Sequence, residues 1–486
     1  MAVFGAQVVV TLISLSFLQK LCPIYSLGRW LLTKQNLVRY LHPSNEELRR
    51  LSGAGKRNQN GKRGSKSNKE SQDAESFSVS RSIELRLSSS PLSSLDVLPL
   101  RFYTEFIWLM DFTITTILVV AASYIHEHYI SPQADEYGLS SLWCLLLICF
   151  SVRPLLSIVT SYRITENSGE IVLCCIFAFF FLVSAMIFLI IDDKTLEFQI
   201  VSAHQQFVTS ANEFLSKRGL SMIGEGSLVT FRASLAILSS FVGSLLTFPG
   251  LRIAKCHLDS LTIMQERPLM QAMMYIEFLF PLFLLSLWIP PISRNTLIGK
   301  TIPGTAIEIS NFHFDIYRDL AVVVFLLWRM GMLRVRLQAY LNTACTKLDA
   351  IRKEAGKITN TELQSSVTQI FYYLCVVAIQ LVGPVTLIAG TLMMARSFTS
   401  EYLKAAGLSS PHSASNPSSI VGDSENLVGT LQEQVQGFTA TLTELRRVFS
   451  SHLLQSVTSY CIWFLLYAWT ATSYFGVFHH TYLVRT

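Results

Sequence analysis

Ile171-Val172-Leu173-Cys174-Cys175-Ile176-Phe177-Ala178-Phe179-Phe180-Phe181-Leu182-Val183-Ser184-Ala185-Met186-Ile187-Phe188-Leu189-Ile190-Ile191 is a 21-residue run without one Asp, Glu, Lys or Arg, set between Glu170 and the pair Asp192-Asp193. As an α-helix it is about 30 Å long, the thickness of a bilayer's hydrocarbon core. In hydrocarbon every backbone N–H and C=O must be satisfied within the protein, so such a run is read as a spanning helix. It is too long and too uniformly apolar for a barrel strand, which alternates.

Eight further apolar runs flank it, at 2–19, 106–125, 140–161, 228–249, 269–289, 317–333, 367–394 and 451–478. The run at 317–333 is the weakest, because Asp319 and Arg329 leave only Leu320–Trp328 free of charge. Run 2–19 has no Lys or Arg before its apolar core, and no Ala-x-Ala-like site follows, so it reads as an uncleaved anchor. The composition agrees: of 486 residues, 50% are hydrophobic and only 15% charged, against about 25% charged in an average soluble protein. These figures exclude a disordered chain, a disulfide scaffold and an ordinary soluble enzyme. The expected fold is all-α: a polytopic transmembrane bundle of about nine spans, or eight if the first is a cleaved signal. Its regions are an anchor span (1–19), a basic loop with a short capped helix (20–105), a core bundle (106–394), a Ser-rich loop with a surface helix (395–450), and a last span with its tail (451–486).

Net charge is +6, but the basic residues flank apolar runs, which is a topology signal rather than a nucleic-acid face. With nine spans, 26 of the 39 Lys and Arg fall on one side, 10 on the other and three within spans. The heavier side takes the cytosol by the positive-inside rule. The N-terminus is then outside or luminal and the C-terminus cytosolic, in the endoplasmic reticulum or plasma membrane.

The loops carry local signals. Ser44-Asn45-Glu46-Glu47 is a capping box, which predicts a helix to Leu51 that stops at Gly53. Ser52–Ser94 is rich in Ser, Gly, Lys and Arg and reads as disordered. Leu337, Leu341, Ala344/Cys345, Leu348 and Ile351 recur at helical spacing, interleaved with Arg334, Arg336, Lys347, Arg352 and Lys353. This helix either packs on its neighbours or lays its basic residues on anionic lipid. Gly356 should end it, and Thr359-x-x-Glu362 should start the next. Residues 397–425 read as a flexible loop and 426–449 as another surface helix.

Ionisable residues inside spans are the sharpest functional signal, because each costs at least ~2.5–3.5 kcal/mol near the bilayer centre and so takes a partner. They are Asp111, Arg153, Arg232, Glu277 and Arg329, with Asp319 near a boundary. Signs allow pairs such as Asp111–Arg153 or Glu277–Arg329. Helix breakers come next: Pro249-Gly250 closes the fifth span, Pro281 interrupts the sixth and Gly383-Pro384 the eighth. Proline frees the carbonyl four residues earlier, which is Glu277 for Pro281 and Gln380 for Pro384. A freed carbonyl beside a polar side chain either builds an ion site or simply kinks the helix. Together these residues are the candidate intramembrane polar network. His126-Glu127-His128 with Asp135 and Glu136 is too weak a pattern for a metal site. The nine cysteines show no CxxC spacing, and no zincin, nucleophile-elbow or Walker motif occurs. The expectation is no enzyme, no cofactor and no metal.

Several stretches resemble the eukaryotic transmembrane protein 161 family: Gly28-Arg29-Trp30-Leu31-Leu32, His42-Pro43-Ser44 with Glu46-Glu47-Leu48, Leu246–Arg252, Leu337-Gln338-Ala339-Tyr340-Leu341-Asn342, Lys353-Glu354-Ala355-Gly356 and Phe371-Tyr372-Tyr373-Leu374-Cys375. The similarity runs from Met1 to about Gly476. It implies a multi-pass membrane protein without established catalytic activity, linked to ion currents, membrane excitability and protection from oxidative stress. Asp111 and Arg329 match the family's charged span positions, and Arg153 and Arg232 its basic ones, whereas a neutral polar residue is expected where Glu277 stands. The family's glycosylation sequon before the last span is missing, since Asn416 precedes Pro417 and no other sequon occurs. The expected function is a regulator of ion handling, with the bilayer and ion channels or pumps as partners. The alternative is a channel or transporter using Asp111, Glu277 and Gln380. Orientation is directly testable: an Asn-x-Ser/Thr sequon inserted within 400–425 should be glycosylated, and an insertion series that stays unmodified would reverse the topology.

Overall fold

The computed structural model describes residues 6–20, 25–51, 77–81, 85–129, 139–164, 168–217, 227–298, 311–354, 356–405 and 449–483. The described residues form an all-α bundle. Seven helices are long and apolar enough to cross a membrane, within 103–126, 140–161, 172–190, 227–263, 268–286, 360–399 and 451–482. They answer to seven of the nine predicted spans. The other two are also helical. α1 (Ala6–Lys20) packs Leu18 among Phe112, Val119, Trp143 and Leu147. α11 (Asn311–Gly331) carries Asp315, Arg318, Asp319 and Arg329, which is why its composition alone does not mark it as a span.

The spanning set is α4 (Tyr103–Tyr129), α5 (Leu139–Ile164), α6 (Ser168–Ile190), α8 (Ser227–Ile263), α9 (Pro268–Ser286), α14 (Leu374–Ala405) and α15 (Ser451–Phe478). α14 is the hub, buried along almost all of Leu374–Ala395 between α4, α5, α8 and α15. α6 and α9 instead turn most of their apolar residues outward, Phe179, Ile187, Leu279 and Phe283 among them, as lipid-facing helices do.

One expected helix end is corrected, since α8 continues past Pro249-Gly250 to Ile263. Pro249, Pro281 and Pro384 lie inside continuous helices, as does Pro154 in α5. The glycines beside two of them explain the packing. A Cβ on Gly250 would sit 1.9 Å from Thr472 Oγ1, and one on Gly476 would sit 2.6 Å from the Ala254 Cβ. A Cβ on Gly383 would meet Leu155 at 3.0 Å. Pro249-Gly250 therefore marks a close crossing of α8 over α15 rather than a helix end. Lipid offers no hydrophobic drive between helices, so small residues that let backbones approach supply the attraction. Conversely, the run read as one span at 367–394 is split at Tyr373 into α13 (Asn360–Tyr372) and α14.

One end of the bundle carries a cap. α2 (Leu27–Thr33), β1 (Val38–Tyr40), α3 (Asn45–Leu51), β2 (Ser78–Ser80) and β3 (Ser89–Pro91) fold against α12 (Leu333–Lys353), β4 (Lys357–Thr359) and α13. β1 pairs antiparallel with β3, and β2 with β4. The capping box is made reciprocally, each bond 3.2 Å, and Thr359 Oγ1 accepts from the Glu362 amide. α12 ends just before Gly356, whose φ of +121° lies in the region glycine favours. Gln338 closes a ring of bonds with the Val38 backbone, at 3.0 and 3.2 Å, and donates to Asn342. Asn360 accepts from the Phe77 amide and donates to Asn45. These contacts correct the reading of Ser52–Ser94 as disordered: Phe77–Arg81 and Leu85–Ser94 gain order by pairing with distant strands, while 52–76 and 82–84 lie outside the described residues. They also bring the two most basic loops to one side, as the charge count requires.

At the other end, α7 (Ile200–Lys217) buries Ile200, Ala203, His204 and Ala211. It was not foreseen from the sequence. The predicted surface helix at 426–449 lies outside the described residues almost entirely, and α14 extends through 397–405 of the predicted flexible loop.

The α8–α15 crossing yields a prediction. Gly250→Ala should lower stability by about 1–3 kcal/mol, because a backbone must shift to admit the methyl. Gly331→Ala, with no atom within 4 Å of its Cβ, should be neutral or gain up to about 1 kcal/mol. Thermal unfolding of both variants in detergent decides it, and equal effects would remove the close-crossing argument.

Candidate functional site: a buried two-arginine, one-carboxylate centre

The polar residues predicted within spans occupy separate places. Among the described residues Asp111 forms no ion pair with Arg153; the arginine within its electrostatic range is Arg29 of α2. Its carboxylate accepts from Ser26 Oγ at 2.9 Å and from the Leu27 amide. Ser26 caps α2 by accepting from the Arg29 amide, so Asp111 anchors the start of the cap helix to α4 through the Ser26 hydroxyl and the Leu27 amide. Gly28 seats that helix, with Ile107 and Met110 within 3.4 Å of where a Cβ would be. Arg153 faces outward from α5. Arg232, half-buried, lies within electrostatic range of Asp193 and His204 at the end opposite the cap. Burial, with Arg232 adding to it, holds the His204 imidazole below its usual pKa, and Ser227 Oγ sits 3.2 Å from its Nε2. Gln380 is buried in α14 and accepts from Arg252 Nε at 3.1 Å.

Glu277 is different. It has no exposed surface and sits mid-way along α9. The predicted pairing with Arg329 is present, Nε to Oε1 at 2.9 Å, and Arg336 Nη2 donates to Oε2. The Arg329 contact is a charge pairing without hydrogen-bond alignment. Arg329 Nε and Nη1 and Arg336 Nε have no hydrogen-bond partner. Arg329 and Arg336 are only 4% and 2% exposed. The Arg329 guanidinium also lies over the rings of Phe325 and Trp469, at 5.2 and 4.7 Å, where the quadrupoles favour a cation. His257 of α8 stacks on Phe278 at 4.4 Å and leaves Nδ1 unbonded. Four elements thus meet at one carboxylate: α9 supplies it, α11 and α12 the guanidiniums, and α15 the aromatic floor.

Arg336 corrects the sequence reading. It was grouped with Arg334, Lys347, Arg352 and Lys353 as a lipid-facing base, but it lies on the buried stripe of α12 with Leu333, Leu337 and Leu341. Helical spacing held the signal, since 333, 336, 337 and 341 share one face. Arg334, Lys347 and Lys353 are exposed and Arg352 is half-exposed. α11 and α12 are separate helices that meet at Met332, so Glu277 clasps the elbow between them from both sides.

A second charged group closes the end opposite the cap. Arg294 pairs with Glu197 at 2.7 Å and Asp315 at 2.9 Å, Arg318 meets Asp315 at 3.3 Å, and Arg396 pairs with Asp319. Burial pushes the Glu197 carboxyl up, and the Arg294 charge opposes that shift. This group is balanced in sign, ties the two connecting segments that carry Glu197 and Arg294 to α11 and α14, and was missed because most of its partners lie far apart in sequence. Among the described residues, no three His, Cys, Asp or Glu side chains gather as a metal site.

Removing one member of a buried ion group leaves an uncompensated charge, which costs about 3–5 kcal/mol. Glu277→Ala should therefore lose most of its folded yield. Asp111→Ala, which orphans a hydroxyl and an amide at the protein's edge, should cost about 1–3 kcal/mol. Size-exclusion yield and unfolding midpoint rank the two, and the reverse order would contradict the assignment.

No solved structure matches the chain. A family model described as "Predicted transmembrane protein 161AB" matches residues 2–484, which include every helix and the whole of this centre. The chain belongs to the transmembrane protein 161AB family.

Proposed function

We propose that the protein is a non-enzymatic, multi-pass membrane regulator of ion handling, membrane excitability or stress response, acting on or with channels or pumps. The observation that carries this reading is the scatter of the span charges. Asp111 anchors a cap helix, Gln380 holds Arg252, Arg153 faces outward, Arg232 stands at the end opposite the cap, and only Glu277 gathers arginines. A conducting path needs polar groups in succession across the bilayer, whereas Asp111, Gln380 and Glu277 lock elements together at separate places. The exposed basic residues of α12, Arg334, Lys347 and Lys353 with Arg352 beside them, supply contact with anionic lipid at the cap. The endoplasmic reticulum or plasma membrane is the proposed site.

Reconstitution distinguishes a regulator from a conductor. Purified protein in liposomes should pass no ions, while its removal from cells should alter whole-cell currents. Ion flux through pure liposomes, abolished by Asp111→Asn, Glu277→Gln or Gln380→Leu, would establish the channel or transporter reading instead.

A further inference from the structure

The Glu277 centre is not charge-balanced. Two guanidiniums face one carboxylate, which leaves one net positive charge among side chains at most 4% exposed. Buried charge persists where it is paired, and the nearest further acid on α8, Asp259, is in the field of Lys255 and Arg252. Hydrogen bonding is incomplete in the same place, since Arg329 Nε and Nη1, Arg336 Nε and His257 Nδ1 all lack partners. Such groups in a native interior call for an explanation, an unseen ion among them. His257 is within electrostatic range of Glu277, Arg329 and Arg336, so the unfilled donors and the unbalanced charge coincide. The surroundings lead the same way. Arg252, over the Tyr340 ring at 5.7 Å, and Lys255 extend positive charge from this centre along α8 on the cap side.

We propose that the Glu277–Arg329–Arg336 centre is an anion-binding site for a phosphate-type oxyanion, which supplies the second negative charge and takes the donors left open on Arg329, Arg336 and His257. Two planar guanidiniums match the paired oxygens of an oxyanion, a geometry a halide does not use. The oxyanion is either free inorganic phosphate or the headgroup phosphate of a membrane lipid, both of which present the same oxygens. With it bound, the α11–α12 elbow is held by two anions rather than one. α12 carries the cap, so occupancy stabilises the cap against the bundle. The site stands whether the protein conducts ions or regulates them, because occupancy is read without any current.

The test uses the full chain in phosphatidylcholine nanodiscs. The unfolding midpoint is followed against inorganic phosphate, with chloride at equal ionic strength as control, and separately in nanodiscs doped with a phosphatidylinositol phosphate. Phosphate or the doped lipid should raise the midpoint by several degrees, saturably, where chloride does not. Phosphate alone acting identifies a free anion, and the lipid alone acting identifies a headgroup. Arg336→Gln should weaken the response at least tenfold. Should that variant fail to fold, His257→Phe decides: it keeps the ring on Phe278, removes only the donor, and should weaken the response several-fold. The proposal is overturned if neither probe acts beyond chloride, or if the variants respond like the parent.

Discussion

A carboxylate with no exposed surface in the middle of a membrane helix has to be answered by positive charge, and much of this fold is arranged around that requirement. Glu277 cannot reach water, so α11 and α12 must both present an arginine to it. Arg329 lies two residues from the end of α11 on the aromatic floor of α15, and Arg336 lies one turn into α12. The helix boundary at Met332 falls between them. The elbow that leads out of the bundle into the cap is therefore set by one side chain on a third helix.

Two other constraints act with it. Small residues at the α8–α15 crossing, Gly250 with Thr472 and Ala254 with Gly476, bring those helices into backbone contact. That contact places His257 and Phe278 beside the charges and Trp469 beneath them. On the far side of α12, Gln338 and Asn342 hold β1. A displacement of the elbow would thus reach the cap through α12, whose two faces are engaged at once. Local sequence, crossing geometry and charge pairing support one arrangement, which is the consistency expected of a chain with one native fold.

Much of this was legible in the sequence, for physical reasons that differ between elements. Spans such as Ile171–Ile191 are readable because lipid demands a long apolar helix. The capping box at Ser44 and the Thr359 cap are readable because both partners lie within four residues. That Glu277 takes a cationic partner followed from the cost of lone charge in lipid, but sign alone allowed Asp111–Arg153 equally, and among the described residues that pair does not form. Proline misled at 249, where its local preference was overridden by the helices packed around it and α8 continues to Ile263. Ser78–Ser80 and Ser89–Pro91 looked structureless, since what orders them is a strand far away in sequence. Arg336 was misassigned because it sits among exposed bases, and only its register with Leu333 and Leu337 marked it as buried.

The central claim is that Glu277 and the arginines act as one unit. A double-mutant cycle over Glu277→Gln and Arg336→Gln, read by unfolding midpoint in the same detergent, measures it directly. The account predicts strong non-additivity, with the double variant more stable than the sum of the singles by about 1–3 kcal/mol. Additive losses, within about 0.5 kcal/mol, would contradict it.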